Sequence, residues 1–217
     1  MMNNLKNISL TSGFYVAIGQ QGSGKTAFIT YLAVSEYQKT KRLILSNYTL
    51  FDIPCIYYDD NVLIDLLTSD TLIESVYIPR RFGDEPYNIA EEYYKIMGIY
   101  PKSNDDYLNG SIILLDEIHV YYDSYDTFKK HPRIVSGFIS QLRKRKILLL
   151  GTTQRILKIP MRMRSEVKYV LDMEEKGNLF NCVFNKMDGY YYKPFKKITI
   201  DLRNYFKYYD TNEIITP

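Results

Sequence analysis

Short runs in which every position is apolar alternate along the first 170 residues with stretches in which apolar residues recur every three or four positions. Phe14–Ile18 is the first such run, rich in β-formers and followed by a glycine. From Lys25 to about Gln38 the apolar residues Phe28, Leu32 and Tyr37 fall near helical spacing. Arg42–Asn47 predicts a second strand and Cys55–Tyr58 a third. Asp60, ahead of Val62, Leu63, Ile64 and Leu66, predicts a capped helix. Ile73–Ile78 has strand character, Asn88–Met97 puts Ile89, Tyr93 and Ile96 on one helical face, and Pro101–Gly110 is a polar loop. Ser111–Asp116 and Lys146–Gly151 are buried strands with a helical stretch around Ile134–Arg145 between them, and Val167–Leu171 is a further strand.

Continuous apolar runs, rather than alternating ones, suit parallel strands covered on both faces. The expected fold class is therefore α/β, a mostly parallel open sheet flanked by helices with its ligand at the carboxyl ends of the strands. After Leu171 the pattern changes. Phe180–Lys186 and Tyr190–Ile200, split by Asp188-Gly189, predict a β-hairpin. The tyrosine-rich end, Tyr205–Ile215, is expected to add an edge strand. The expected organisation is a core over residues 1–172 and a β-rich C-terminal extension of the same domain over 173–217. The 22 tyrosines are spread throughout and are taken as composition, not as a base-stacking device.

Composition narrows the class. Apolar runs such as Ile112–Leu115 and Ile147–Leu150 are four residues long, against about 20 for a membrane-spanning helix. The first residues lack the apolar stretch of a secretory signal. Two cysteines, Cys55 and Cys182, neither form a disulfide scaffold nor show metal-ligand spacing. These features lead to the expectation of an intracellular, cytoplasmic protein without a membrane span. The net charge of +3 conceals an asymmetry: Thr127–Lys168 holds 12 basic side chains and one acid, while the other 175 residues hold 16 basic and 24 acidic ones. Such a stretch is expected to meet a polyanion or surround a bound anion.

The sharpest motif is Gly19-Gln20-Gln21-Gly22-Ser23-Gly24-Lys25-Thr26, which fits G-x-x-x-x-G-K-[ST] at every fixed position. The glycines let successive backbone N–H groups turn inward around a phosphate, and the following helix directs its positive end at the same anion. Lys25 is placed to reach the β- and γ-phosphates and the Thr26 hydroxyl to coordinate Mg²⁺. The chemistry called for is binding of a nucleoside triphosphate with magnesium.

Ile112–Leu115 followed by Asp116-Glu117 puts an aspartate at the tip of a buried strand, where it would hold the Mg²⁺ shell. Glu117, one residue further, would orient or deprotonate the attacking water. His119 is read as structural or solvent-facing. A third buried strand ends in Thr152-Thr153-Gln154, 38 residues after Asp116 when counted to the glutamine, and Gln154 is expected to sense the γ-phosphate. Charge on the transferring phosphoryl group also calls for an arginine. Arg143 is the candidate put forward, with Arg145, Arg80, Arg81, Arg133 and Arg155 as alternatives among which the sequence does not choose.

Together the loop Gly19–Thr26, Ser46-Asn47, Asp116-Glu117, a basic helix, Thr152-Thr153-Gln154 and the arginine-bearing Ile159–Arg164 resemble the FtsK–HerA group of P-loop ATPases. The likeness is to its small viral genome-packaging members and also to zonular-occludens-toxin-like phage assembly ATPases. It covers about residues 13–172, and more weakly the tail Tyr208–Glu213. The resemblance implies a RecA-like P-loop NTPase fold. It also implies ATP hydrolysis between subunits of a homo-oligomeric ring, commonly a hexamer, that moves double-stranded DNA without sequence preference. Capsid or portal-type partners would follow, with transient placement at the capsid vertex. The short flanks of the core and the lack of a membrane span turn the expectation from phage assembly toward packaging. Two other readings stay open: an ATP-binding assembly factor whose basic stretch contacts acidic protein, and a small-molecule kinase.

Overall fold

The apolar runs become strands whose side chains point alternately into two separate cores. In β1 (Gly13–Ile18) Phe14 and Val16 face one side, Tyr15 and Ala17 the other. β6 (Ile112–Leu115) and β7 (Leu148–Thr153) divide in the same way, with Ile113, Leu115 and Leu149 on the first side and Ile112, Leu114, Leu148 and Leu150 on the second. A strand buried on both faces leaves no polar alternation to read. The computed structural model describes residues 10–122, 131–188 and 191–210.

Between β1 and β6 lie α1 (Lys25–Thr40), β2 (Ile44–Ser46), β3 (Ile56–Tyr57), α2 (Asp60–Thr68), β4 (Ser75–Val76), α3 (Pro79–Phe82), β5 (Tyr87–Asn88), α4 (Ile89–Met97) and α5 (Asn104–Leu108). α6 (Ile118–Tyr121) and α7 (His131–Ser140) precede β7. After it come α8 (Met161–Arg164), β8 (Val167–Lys176), β9 (Leu179–Asp188), β10 (Tyr191–Ile200) and a 3-10 turn, Arg203–Tyr208.

The main sheet has the order β10-β9-β8-β1-β7-β6-β2-β3. All neighbours from β8 to β3 are parallel, and β9 and β10 add an antiparallel hairpin. The α/β, mostly parallel arrangement expected from the sequence is thus the one observed. α1 packs on one face, with the 3-10 turn and the inner residues of the hairpin, Phe180, Cys182 and Phe184. α2, α4, α5, α7 and α8 bury Leu63, Tyr93, Leu108, Phe138 and Met163 against the other. β8 continues unbroken across position 172, so the hairpin grows directly from a core strand.

Several local expectations are corrected. The cap of α2 is Asp59, whose carboxylate accepts from the Val62 N–H at 2.9 Å, and not Asp60. Pro101–Gly110 contains α5, because Ser103 and Asp106 form a reciprocal capping box that starts a helix in a polar segment. Within Ile73–Ile78 only Ser75 and Val76 are strand, paired with β5 in a separate two-stranded sheet. α7 ends at Ser140, and residues 141–146 are turns. Of the Tyr205–Ile215 segment, the described residues up to Asp210 form the end of the 3-10 turn and a single bridge from Tyr209 to Leu50, and residues 211–217 lie outside the described part.

Several tyrosines are core residues with tethered phenols. Tyr48 shares a 2.7 Å hydrogen bond with Thr30, Tyr58 donates to the Leu114 carbonyl at 2.9 Å, and Tyr107 to the Ile73 carbonyl at 2.8 Å. At the amino ends of the strands, the Arg42 guanidinium donates to the carbonyls of Gly110, Ser111 and Lys146, holding the entries to β6 and β7 together. On the outer strand β10, Lys193, Pro194 and Lys197 are exposed and the register shifts between Pro194 and Lys196. Among the described residues no helix is long and apolar enough to cross a membrane.

Candidate nucleotide site

β1 ends at Ile18, and the chain turns through Gly19–Gly24 into α1. Gly19, Gly22 and Gly24 all have positive φ, at 147°, 78° and 80°. Two of them also lack room for a side chain. A Cβ on Gly19 would sit 2.5 Å from the Met173 carbonyl oxygen and 2.5 Å from Ser23 Oγ, and one on Gly24 would sit 2.6 Å from the Phe180 ring. The loop is therefore backed by β8 and β9, a support that the sequence reading did not find. The Ser23 N–H is tied back to the Gln20 carbonyl at 3.2 Å. Gln20 and Gln21 are exposed on the loop.

Lys25 is buried in the first turn of α1 and its ammonium donates to the Gln20 carbonyl at 2.9 Å, leaving two N–H donors for an anion in the loop. One residue on, the Thr26 hydroxyl donates to both oxygens of Asp116, at 3.0 and 3.1 Å. The loop and the acidic strand end, 90 residues apart in sequence, thus meet as expected.

The reason is the strand order. β7 lies between β1 and β6, and Leu115 pairs with Gly151, so the next residues, Asp116 and Thr152, face each other. Thr152 donates its hydroxyl to Asp116 and accepts from the Glu117 N–H at 2.9 Å. From the other flank, the Asn47 side chain accepts from the Asp116 N–H at 2.8 Å and donates to the Asp116 carbonyl at 3.1 Å. Asp116 is thereby fixed by the ends of β2 and β7. Parallel register between the two predicted strands was the signal that could have identified Thr152.

Burial pushes the Asp116 carboxyl up to about 6, with the neighbouring Glu117 charge adding to it; the Thr152 and Thr26 hydrogen bonds and Lys25 oppose the rise. Such a buried acid gains from a cation. A hydroxyl and a carboxylate in contact are the hard oxygen donors that Mg²⁺ selects, with phosphate oxygens and water completing its shell. Ser23 Oγ, buried and without a hydrogen-bond partner, is a second sign that the loop is shaped for a polar group. The residues present fit magnesium, with Thr26 and Asp116 as its holders; bound there, it would neutralise charge on bridging phosphate oxygens.

Glu117 adopts the left-handed conformation, φ 52° and ψ 51°, which turns its side chain out of the strand. One carboxylate oxygen lies 3.2 Å from His119 Nδ1, and Thr153 Oγ1 is 3.3 Å from the same nitrogen. His119 is thus a neighbour of the candidate base, more engaged than a simple surface histidine.

The remaining expected residues are divided between the two ends of the sheet. Gln154 is exposed, its carboxamide oxygen accepting from Lys158 at 3.3 Å; the buried side chains at this strand end are Thr152 and Thr153. Arg143 is exposed in the turns before β7, at the amino end of a strand whose carboxyl end faces the loop, so it is remote from its own site. Arg145 is at the same end, paired with Asp105 at 2.8 Å. Arg81 stacks on the Tyr57 ring at 4.2 Å and donates to Thr49. Arg133 is exposed in the first turn of α7, and Arg155 is exposed directly after Gln154. Among its described residues the basic segment does not form one surface: Arg143–Lys146 and Lys168 lie at the amino ends of the strands, whereas Arg155 and Lys158 follow the carboxyl end of β7.

Neither the family models nor the curated proteins give a match to this sequence. Solved structures do. The N-terminal domain of zonular occludens toxin from Neisseria meningitidis superposes with a TM-score of 0.56 at 15% identity, covering 93% of this chain and 100% of that one. The DNA-packaging ATPase B204 from Sulfolobus turreted icosahedral virus gives a TM-score of 0.48 at 16% identity over 86% of this chain and 98% of that one. With the loop, the acids and the sheet order in these positions, the chain has the P-loop NTPase fold.

Proposed function

We propose that the protein is a magnesium-dependent ATPase whose hydrolysis drives movement of duplex DNA, as in packaging a viral genome, from a homo-oligomeric ring. The observation that carries the hydrolytic part is the contact of Thr26 with Asp116, with Thr152 holding Asp116 and the Glu117 backbone in one network. Backbone N–H groups of the loop and Lys25 bind the phosphates, and Thr26 and Asp116 hold the metal. Glu117 orients or deprotonates the water, and an arginine from a neighbouring subunit serves the developing charge. Phosphate binding without sequence readout suits the excess of lysine and arginine after residue 126. The ATP hydrolysis rate with and without duplex DNA tests the reading. Stimulation by DNA, lost in Lys25→Ala and in Glu117→Gln, is expected. An assembled protein that hydrolyses ATP at one rate at every DNA and salt concentration overturns the motor.

A further inference from the structure

Strand polarity gathers a second group of charges at the end of the sheet opposite the nucleotide. Gly13 pairs with Leu148, Phe14 with Val167, and Tyr169 with Lys186. Lys186 of β9, Lys168 of β8 and the 143–146 turn before β7 therefore stand in a row across the amino-end rim. Four adjacent strands make that row about 15 Å long.

These cations crowd one another. Lys168 lies below the ordinary lysine range through burial, and the like charges of Arg143 and Lys186 push it further down. Its ammonium reaches the neutral Thr11 hydroxyl. Among the acids near this rim, Asp105 pairs with Arg145, Glu36 with Arg42, and Asp106 accepts from the backbone N–H groups of Lys102 and Ser103, while Glu166, just before β8, is exposed. The opposite rim carries Asp52, Asp59, Asp60, Glu117, Glu174 and Glu175 at or beyond the carboxyl ends of β2, β3, β6 and β8.

We propose that the amino-end rim, with Lys144, Lys146, Lys168 and Lys186 at its centre, grips the phosphate backbone of duplex DNA on the side of the sheet away from the nucleotide. A row of poorly paired cations gains by releasing the counterions of a polyanion, whereas at the opposite rim these acids are interspersed with Arg155, Lys158, Lys176 and Lys207. The assignment rests on the DNA-motor reading and says where that partner binds. β7 then joins the two sites directly: its entry turn holds Lys144 and Lys146, and its exit, about 20 Å away, holds Thr152.

The test is binding of a fluorescent 30-base-pair duplex by anisotropy across a salt series. The variants are Lys144→Glu/Lys186→Glu and, at the other rim, Lys176→Glu/Lys207→Glu. The first should bind at least tenfold more weakly, and the slope of log K against log salt should fall by about 2, as for the loss of two phosphate contacts. Its ATPase rate without DNA should stay at the wild-type value, which also reports an intact fold. The milder Lys144→Gln/Lys186→Gln should show a smaller loss in the same direction. Wild-type affinity in the first variant, with loss in the Lys176→Glu/Lys207→Glu control, overturns the placement and leaves the motor standing. No binding of duplex by the wild type overturns both. Binding of phosphatidylserine vesicles in place of DNA assigns the rim to a membrane surface and overturns the proposal.

Discussion

The hydroxyl of Thr152 donates to the carboxylate of Asp116 across the β6–β7 pair while accepting from the N–H of Glu117. One small side chain therefore orients the metal-holding acid and sets the turn from which the candidate base projects. Thr152→Val keeps the shape, removes both hydrogen bonds and strands a buried donor, at a cost of about 1–3 kcal/mol. ATP turnover should drop at least tenfold and need more Mg²⁺ for half-maximal rate. Thr152→Ser should retain most of the activity. A Thr152→Val enzyme with wild-type magnesium dependence would remove Thr152 from the site.

Asp116 makes the metal-free protein sensitive to pH. Its folded value, about 6, lies above the unfolded carboxylate range, so its contribution to stability is full below the unfolded value and is lost as pH rises through 6. The difference is on the order of 3 kcal/mol. With chelator present, melting temperature should fall between about pH 4 and pH 7, and Asp116→Asn should flatten that fall. Magnesium with nucleotide should restore the wild type at pH 8 and stabilise Asp116→Asn by less. Parallel pH curves for the two proteins would contradict this.

Gly24 combines positive φ with a Phe180 ring where its Cβ would go. Gly24→Ala should lower nucleotide affinity at least tenfold in a titration with a fluorescent ATP analogue. Adding Phe180→Ala should recover part of that loss, because the clash goes while the backbone strain of about 1 kcal/mol stays. Equal affinities for the single and double variants would mean that the hairpin does not support the loop.

Burial raises both thiols, Cys55 to about 11 and Cys182 further. Neither should react with a disulfide reagent at pH 8 on the timescale of minutes, and labelling should follow unfolding. Fast labelling of Cys182 in the native protein would show that the hairpin opens from α1.

The nucleotide loop was legible because its requirement is local: glycines at positive φ, then a lysine and a threonine opening a helix. The acids were legible because a buried strand advertises itself as Ile112–Leu115. Thr152 and Asn47 carry no such mark. Their roles come from strands adjacent in space and distant in sequence. The same holds for charge. Residues 143–146 and 155–158 are near neighbours in sequence, yet the full length of β7 separates them. In Pro101–Gly110 polarity hid a helix whose start is fixed by two side chains, Ser103 and Asp106, and not by an apolar stripe.

The outermost strand, β10, carries a proline, three lysines and a break in register along its length. A proline cannot donate to a new ladder, and like charges on two such borders would oppose each other, so another copy of the chain meets a poor template there. Contact between copies on the β10 side would then run through side chains and connecting segments, leaving each subunit free to tilt against its neighbour there without tearing a shared ladder.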